Sequence, residues 1–207
     1  GQPMGLRTVA GVGGTDDIEW NVGMGLPDGM NAYLSYSPRP TGNKNSNKGV
    51  GGDGGQISGA GWDVVLTHNA LVDGLNVFAG YSEISQVAAV GDRTAYSLGA
   101  TYAIGGATIG YQMSRDDGVG AGTFYENNAY GVSFSVNDNL AISYGVHESD
   151  RVREAGTITK TLDGSSLQVS YTVGGASIKV AESSVDNQNY VDASNFDGRI
   201  VALTLAF

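Results

Sequence analysis

SSLQVSYTVGGASIKVAESSV, residues 165–185, is the stretch whose reading decides how this chain folds. Leu167, Val169 and Tyr171 alternate with Gln168, Ser170 and Thr172, and beyond Gly174 and Gly175 the alternation resumes, with Ile178 and Val180 set against Ser177 and Lys179. Successive side chains of a strand point to opposite faces, so a period of two places the apolar groups on one side and the polar groups on the other. The paired glycines between the two runs supply the positive φ that a tight hairpin demands.

The same grammar covers most of the chain. About eleven alternating segments can be marked, at 17–26, 30–39, 59–68, 75–84, 93–104, 106–115, 127–136, 139–149, 165–173, 175–184 and 197–207. Their length, close to ten residues, exceeds the five or six usual for a sandwich strand and approaches the nine to eleven that a tilted strand needs to cross a bilayer. Short turns at Pro27, Asp28 and Gly29, at Asp73 and Gly74, at Gly105 and Gly106, at 137–139 and at Gly174 and Gly175 alternate with longer polar loops at 40–58, 85–92, 116–126, 150–164 and 185–196. Short turns at one end and long loops at the other describe an all-β antiparallel transmembrane β-barrel. A soluble or surface all-β binding module with a sandwich core is the competing reading, because its strands also alternate.

Aromatic rings favour the headgroup level of a bilayer. Trp20, Tyr36, Trp62, Tyr81, Tyr102, Tyr111, Tyr130, Tyr144 and Tyr171 fall on the apolar register and are expected to form aromatic girdles. The chain has 33 glycines, 4 prolines and no cysteine, which disfavours a helical bundle and excludes disulfides and thiolate metal sites. Its 21 acidic residues against 11 basic ones give a net charge of −10, opposing nucleic acid as a partner. Catalysis is not expected: His68 and His147 lack nucleophile partners at a recognisable spacing, and the glycine run at 49–55 lacks the lysine and helix of a phosphate loop.

The last residues read IVALTLAF, with Val201, Leu203, Leu205 and Phe207 in one register. With the turns and loops, this ending resembles the general diffusion porins of Gram-negative outer membranes, and the Gly-rich acidic style is similar to the alphaproteobacterial, Rhodobacter-type branch. The resemblance implies passive diffusion of ions and small hydrophilic solutes, a homotrimer in a bilayer with lipopolysaccharide, and a terminal pattern read by the barrel-assembly machinery. A substrate-selective channel on the same barrel is the alternative. Porins of this kind carry about sixteen strands. The resemblance therefore places these strands as six to sixteen, with 1–16 as the end of an inward-folded constriction loop, 17–207 as wall, and the preceding strands outside this sequence or on a separate chain.

Asp16, Asp17, Glu19 and Asp63 are then the acidic candidates for the pore lining and constriction, and Arg7, Arg39, Arg93 and Lys179 the basic ones. The excess of carboxylates favours cations. Arg115 and Arg199 sit toward the apolar register at strand ends and read as rim residues. No cofactor is expected, although the resemblance admits a structural calcium ion at the acidic runs 15–17 or 115–117.

Overall fold

The computed structural model describes residues 18–22, 25–37, 58–86, 92–117, 122–153 and 157–205. They form strands β1 (Ile18–Val22), β2 (Met30–Ser37), β3 (Ser58–His68), β4 (Leu75–Gln86), β5 (Arg93–Ile104) and β6 (Ala107–Asp117). These are followed by β7 (Thr123–Ser135), β8 (Leu140–Arg153), β9 (Thr157–Val173), β10 (Ala176–Asp186) and β11 (Phe196–Leu205). They make one eleven-stranded sheet in sequence order, β1 next to β2 and onward to β11, and no helix among the described residues is long and apolar enough to cross a membrane. Arg7, Asp16, Asp17, Arg39 and Phe207, segment 1–16 and the glycine run at 49–55 lie outside the described residues.

One compact unit holds β1–β4, the first half of β5 as far as Leu98, and Ser114–Phe124. In it β1–β2, β2–β3 and β3–β4 are antiparallel, with Trp20 opposite Leu34, Leu34 opposite Val64 and Val64 opposite Tyr81. Gly29 closes the β1–β2 turn at φ 77, and a Cβ there would lie 2.3 Å from the Cβ of Ala70 in the β3–β4 turn. Only glycine lets these two turns meet at that distance without strain.

The other unit holds Gly99–Met113 and Tyr125–Phe207. Here β8–β9, β9–β10 and β10–β11 are antiparallel, so Ile142, Val169, Val180 and Val201 form one row across four strands. The hairpins turn at Gly105 and Gly174, both at φ 56, as the glycine pairs in the sequence predict.

The strand positions match the alternation, but several ends do not. β9 begins at Thr157 rather than near 165, β7 at Thr123 rather than near 127, and β8 runs on to Arg153. The connection expected at 150–164 therefore shrinks to 154–156, and that at 116–126 to 118–122. Where a strand leaves its apolar surroundings, both faces turn polar and the period of two vanishes from the sequence while the backbone ladder continues.

Candidate functional site

Each unit turns its apolar register outward to its surroundings. Trp20 is 49 % exposed, Trp62 41 %, Ile109 52 %, Phe134 50 %, Leu167 48 % and Leu203 66 %, whereas the buried apolar residues are Ile84, Ala129 and Val152 alone among the described residues. A sandwich would bury that register against a second sheet. The soluble sandwich is therefore ruled out by exposed apolar area of a size that water does not tolerate on a soluble domain.

The limit of this apolar surface is oblique to the strand register. Below the first charged residue of each strand, its uppermost apolar residue is Val146 on β8, where Val152 farther up is buried, Leu167 on β9, Val180 on β10 and Val201 on β11. Since Val146 faces Ser165, Leu167 faces Glu182 and Val180 faces Val201, the edge drops by two residues from β8 to β9, two more to β10, and none to β11. At roughly 3.3 Å per residue and 4.8 Å between strands, that slope corresponds to strands tilted by roughly 40° from the normal to the apolar band. Carboxylates take over directly above it: Glu148 faces Asp163, and Asp163 faces Asp186. Glu182 is held by Arg199 at 2.7 Å, with both side chains exposed.

The aromatic residues of the outward register gather towards the ends of this band. Tyr36 lies opposite Trp62, whose ring is 5.2 Å from that of Tyr81. Tyr171 stands opposite Leu140 and Ile178, three positions before Gly174 of the hairpin. Tyr96, Phe124 and Phe134 share that register and add to the expected girdle, whereas Phe196 stands on the opposite register, facing Val185. Phe124 lies 3.7 Å under the guanidinium of Arg115, which also donates to Asp117 at 2.9 Å.

On the opposite register the structure brings two of the predicted carboxylates to one rung. Glu19 faces Ser35, Ser35 faces Asp63, and Asp63 faces Ser82. Ser35 Oγ donates to Asp63 Oδ2 at 2.7 Å, which fixes that carboxylate against the wall. Glu19 stands two strands away on the same side, at roughly 10 Å from the interstrand spacing. Lys179 sits in the other unit, exposed on the polar register opposite Ser170 and Ala202.

Arg93 is also on the polar register of β5 but does not present an unbalanced charge. Its Nε and Nη2 donate to Asp116 at 2.9 and 2.5 Å in a forked pair, with 7 % of the Arg93 side chain exposed. Asp116 and Asp117 point to opposite faces and are each held by an arginine, so the run at 115–117 does not converge on a cation. Among the described residues no group of three or more histidines and carboxylates is arranged to hold a metal. The acidic run at 15–17 lies outside the described residues.

No protein-family model and no curated protein sequence matches the chain. Solved structures do match its fold. A porin refined at 1.8 Å is similar with TM-score 0.64 and 16 % identity over 91 % of this chain and 60 % of that one. OmpF of Salmonella typhi, solved with daunomycin, is similar with TM-score 0.66 and 12 % identity over 91 % of this chain and 61 % of that one. The outer-membrane channel DcaP of Acinetobacter baumannii gives TM-score 0.62 and 11 % identity, covering 90 % of this chain and 60 % of that one. This chain thus spans about three fifths of the length of these porins and channels, and at such identities the likeness is one of fold: an antiparallel porin-like sheet.

Proposed function

We propose that this chain supplies most of the wall of an outer-membrane porin, a water-filled channel through which ions and small hydrophilic solutes diffuse passively. One observation carries the reading: in each unit an outward apolar register that bears aromatic residues is backed by a register of serine, threonine, asparagine and charged residues. Such a sheet is stable only with lipid on one side and water on the other. The likeness to porin and channel structures supports the same conclusion.

The finer features of the reading are proposals on the same footing. These strands correspond to six to sixteen of a wall of about sixteen, which accords with the share of the porin chains that this chain covers. The carboxylates Glu19 and Asp63 line the lumen and bias it toward cations, opposed by lysine and arginine from elsewhere on the wall. A trimer, contact with lipopolysaccharide, recognition of the terminal register by the assembly machinery, and the alphaproteobacterial affinity rest on the sequence resemblance.

The test is planar-bilayer recording of the natively extracted protein across a KCl gradient. Stepwise ohmic conductance with a reversal potential on the cation side is expected. Silence from folded, detergent-stable protein would overturn the channel reading.

A further inference from the structure

The connection between β10 and β11, residues 187–195, is the most strained described segment of the chain. Four of its residues other than glycine have positive φ: Asn187 at 53, Asn189 at 56, Tyr190 at 59 and Ala193 at 59. Asparagine tolerates this region because its short amide can bond locally, whereas tyrosine and alanine gain nothing from it. Such backbone persists only where its surroundings over-determine it.

Those surroundings are the polar face of β7–β9. The Tyr190 hydroxyl lies 2.6 Å from Ser149 Oγ, which is itself 2 % exposed and lies 2.5 Å from Asn127 Oδ1. The Tyr190 ring meets that of Tyr125 at 5.1 Å, and the Arg151 guanidinium stands 5.5 Å from the same ring. Arg151 and Lys160 face each other directly across β8 and β9, a like-charge juxtaposition that is unfavourable alone. The connection answers both charges, bringing Asp192 to Lys160 and the Tyr190 π face to Arg151. Asn187 pins the base: its Nδ2 donates to the Thr161 carbonyl at 3.0 Å, and Gln188 N donates to the Ser194 carbonyl at 2.7 Å.

Tyr125, Asn127, Ser149, Arg151 and Lys160 are all on the register opposite the outward apolar one, so the connection folds over the water-facing side of the wall and not away from it. We propose that residues 187–195 are a fixed strap that narrows the water-filled passage at its loop-bearing end, and that Tyr190 is the residue positioning it and thereby setting the size of solute admitted. This inference rests on the channel reading above and adds to it a second determinant of passage, separate from the carboxylate rung of Glu19 and Asp63.

The test compares wild type with Tyr190→Ala, Tyr190→Phe and Ser149→Ala, by single-channel conductance in KCl, by liposome swelling with saccharides of graded size, and by amide exchange over 187–195. Tyr190→Ala is expected to raise unit conductance and admit larger saccharides. Tyr190→Phe keeps the ring and loses one hydrogen bond, so exchange in the strap should quicken by roughly fivefold with a smaller change in conductance. Should Tyr190→Ala not fold, Tyr190→Phe and Ser149→Ala carry the comparison. A conducting wild type whose folded variants keep the same conductance and size limit would overturn the strap alone, even if they melt earlier. A silent wild type would overturn the channel reading and the strap with it.

Discussion

Replacing Val169 by arginine, beside a control in which its neighbour Ser170 is replaced in the same way, separates a lipid-facing register from a merely exposed one. Val169 occupies the row Ile142, Val169, Val180 and Val201, with the Leu140, Tyr171, Ile178 and Leu203 row on one side of it and Tyr144 with Leu167 on the other. It is 36 % exposed and lies near the middle of the apolar band. Arginine near a bilayer midplane on the outer face of a barrel costs about 2–4 kcal/mol, which at ~1.4 kcal/mol per decade lowers the folding equilibrium constant by roughly 30- to 700-fold. The same substitution on a surface wetted by water would cost at most about 0.5 kcal/mol. Ser170, one residue on, faces Lys179 and Ala141 on the polar register, where water solvates a new guanidinium. Reversible urea unfolding in phospholipid vesicles, followed by tryptophan fluorescence and by heat-modifiable mobility in SDS, measures both variants. A large loss for Val169→Arg with a small one for Ser170→Arg is expected. Equal costs, or the reverse order, would refute the assignment of faces on which the functional reading stands.

Asp63→Asn keeps the shape of the side chain that accepts from Ser35 while removing its charge, so the reversal potential in a KCl gradient should move toward zero. The shift should be larger at 0.1 M than at 1 M salt, where the Debye length falls to about 3 Å. Asp116→Ala leaves the Arg93 guanidinium buried without its forked partner and is expected to cost about 3–5 kcal/mol in unfolding free energy. Replacing Arg93 and Asp116 together should cost less than Asp116→Ala alone, and a double-mutant cycle by denaturant titration checks this.

Legibility in the sequence followed the apolar contrast. β5, with Tyr96, Leu98 and Tyr102 outward and Ser97 and Thr101 inward, was readable to its last residue because a polar and an apolar medium both press on it. The first half of β9 was not readable, since the ladder that pairs Thr161 with Asp150 and Lys160 with Arg151 runs beyond the apolar band. Of the proposed lining residues, Glu19 and Asp63 met in one rung because strand register multiplies a local period across neighbouring chains. Arg93 was on the expected face, but its charge was answered by Asp116, 23 positions away in sequence, a partner that no spacing rule identifies.

Period and turn chemistry belong to the sequence itself: alternation fixes which side chains share a face, and glycine pairs such as Gly174 and Gly175 fix where the chain reverses, because both are decided within a few residues. The register that aligns Glu19 with Asp63, the slope of the apolar edge from Val146 to Val201, and the seating of Tyr190 against Ser149, 41 positions away, depend on which strands lie side by side and by how much they are offset. Those are tertiary quantities. They arise because a backbone ladder and a few buried polar partners are satisfied together, and no single segment carries the information for them.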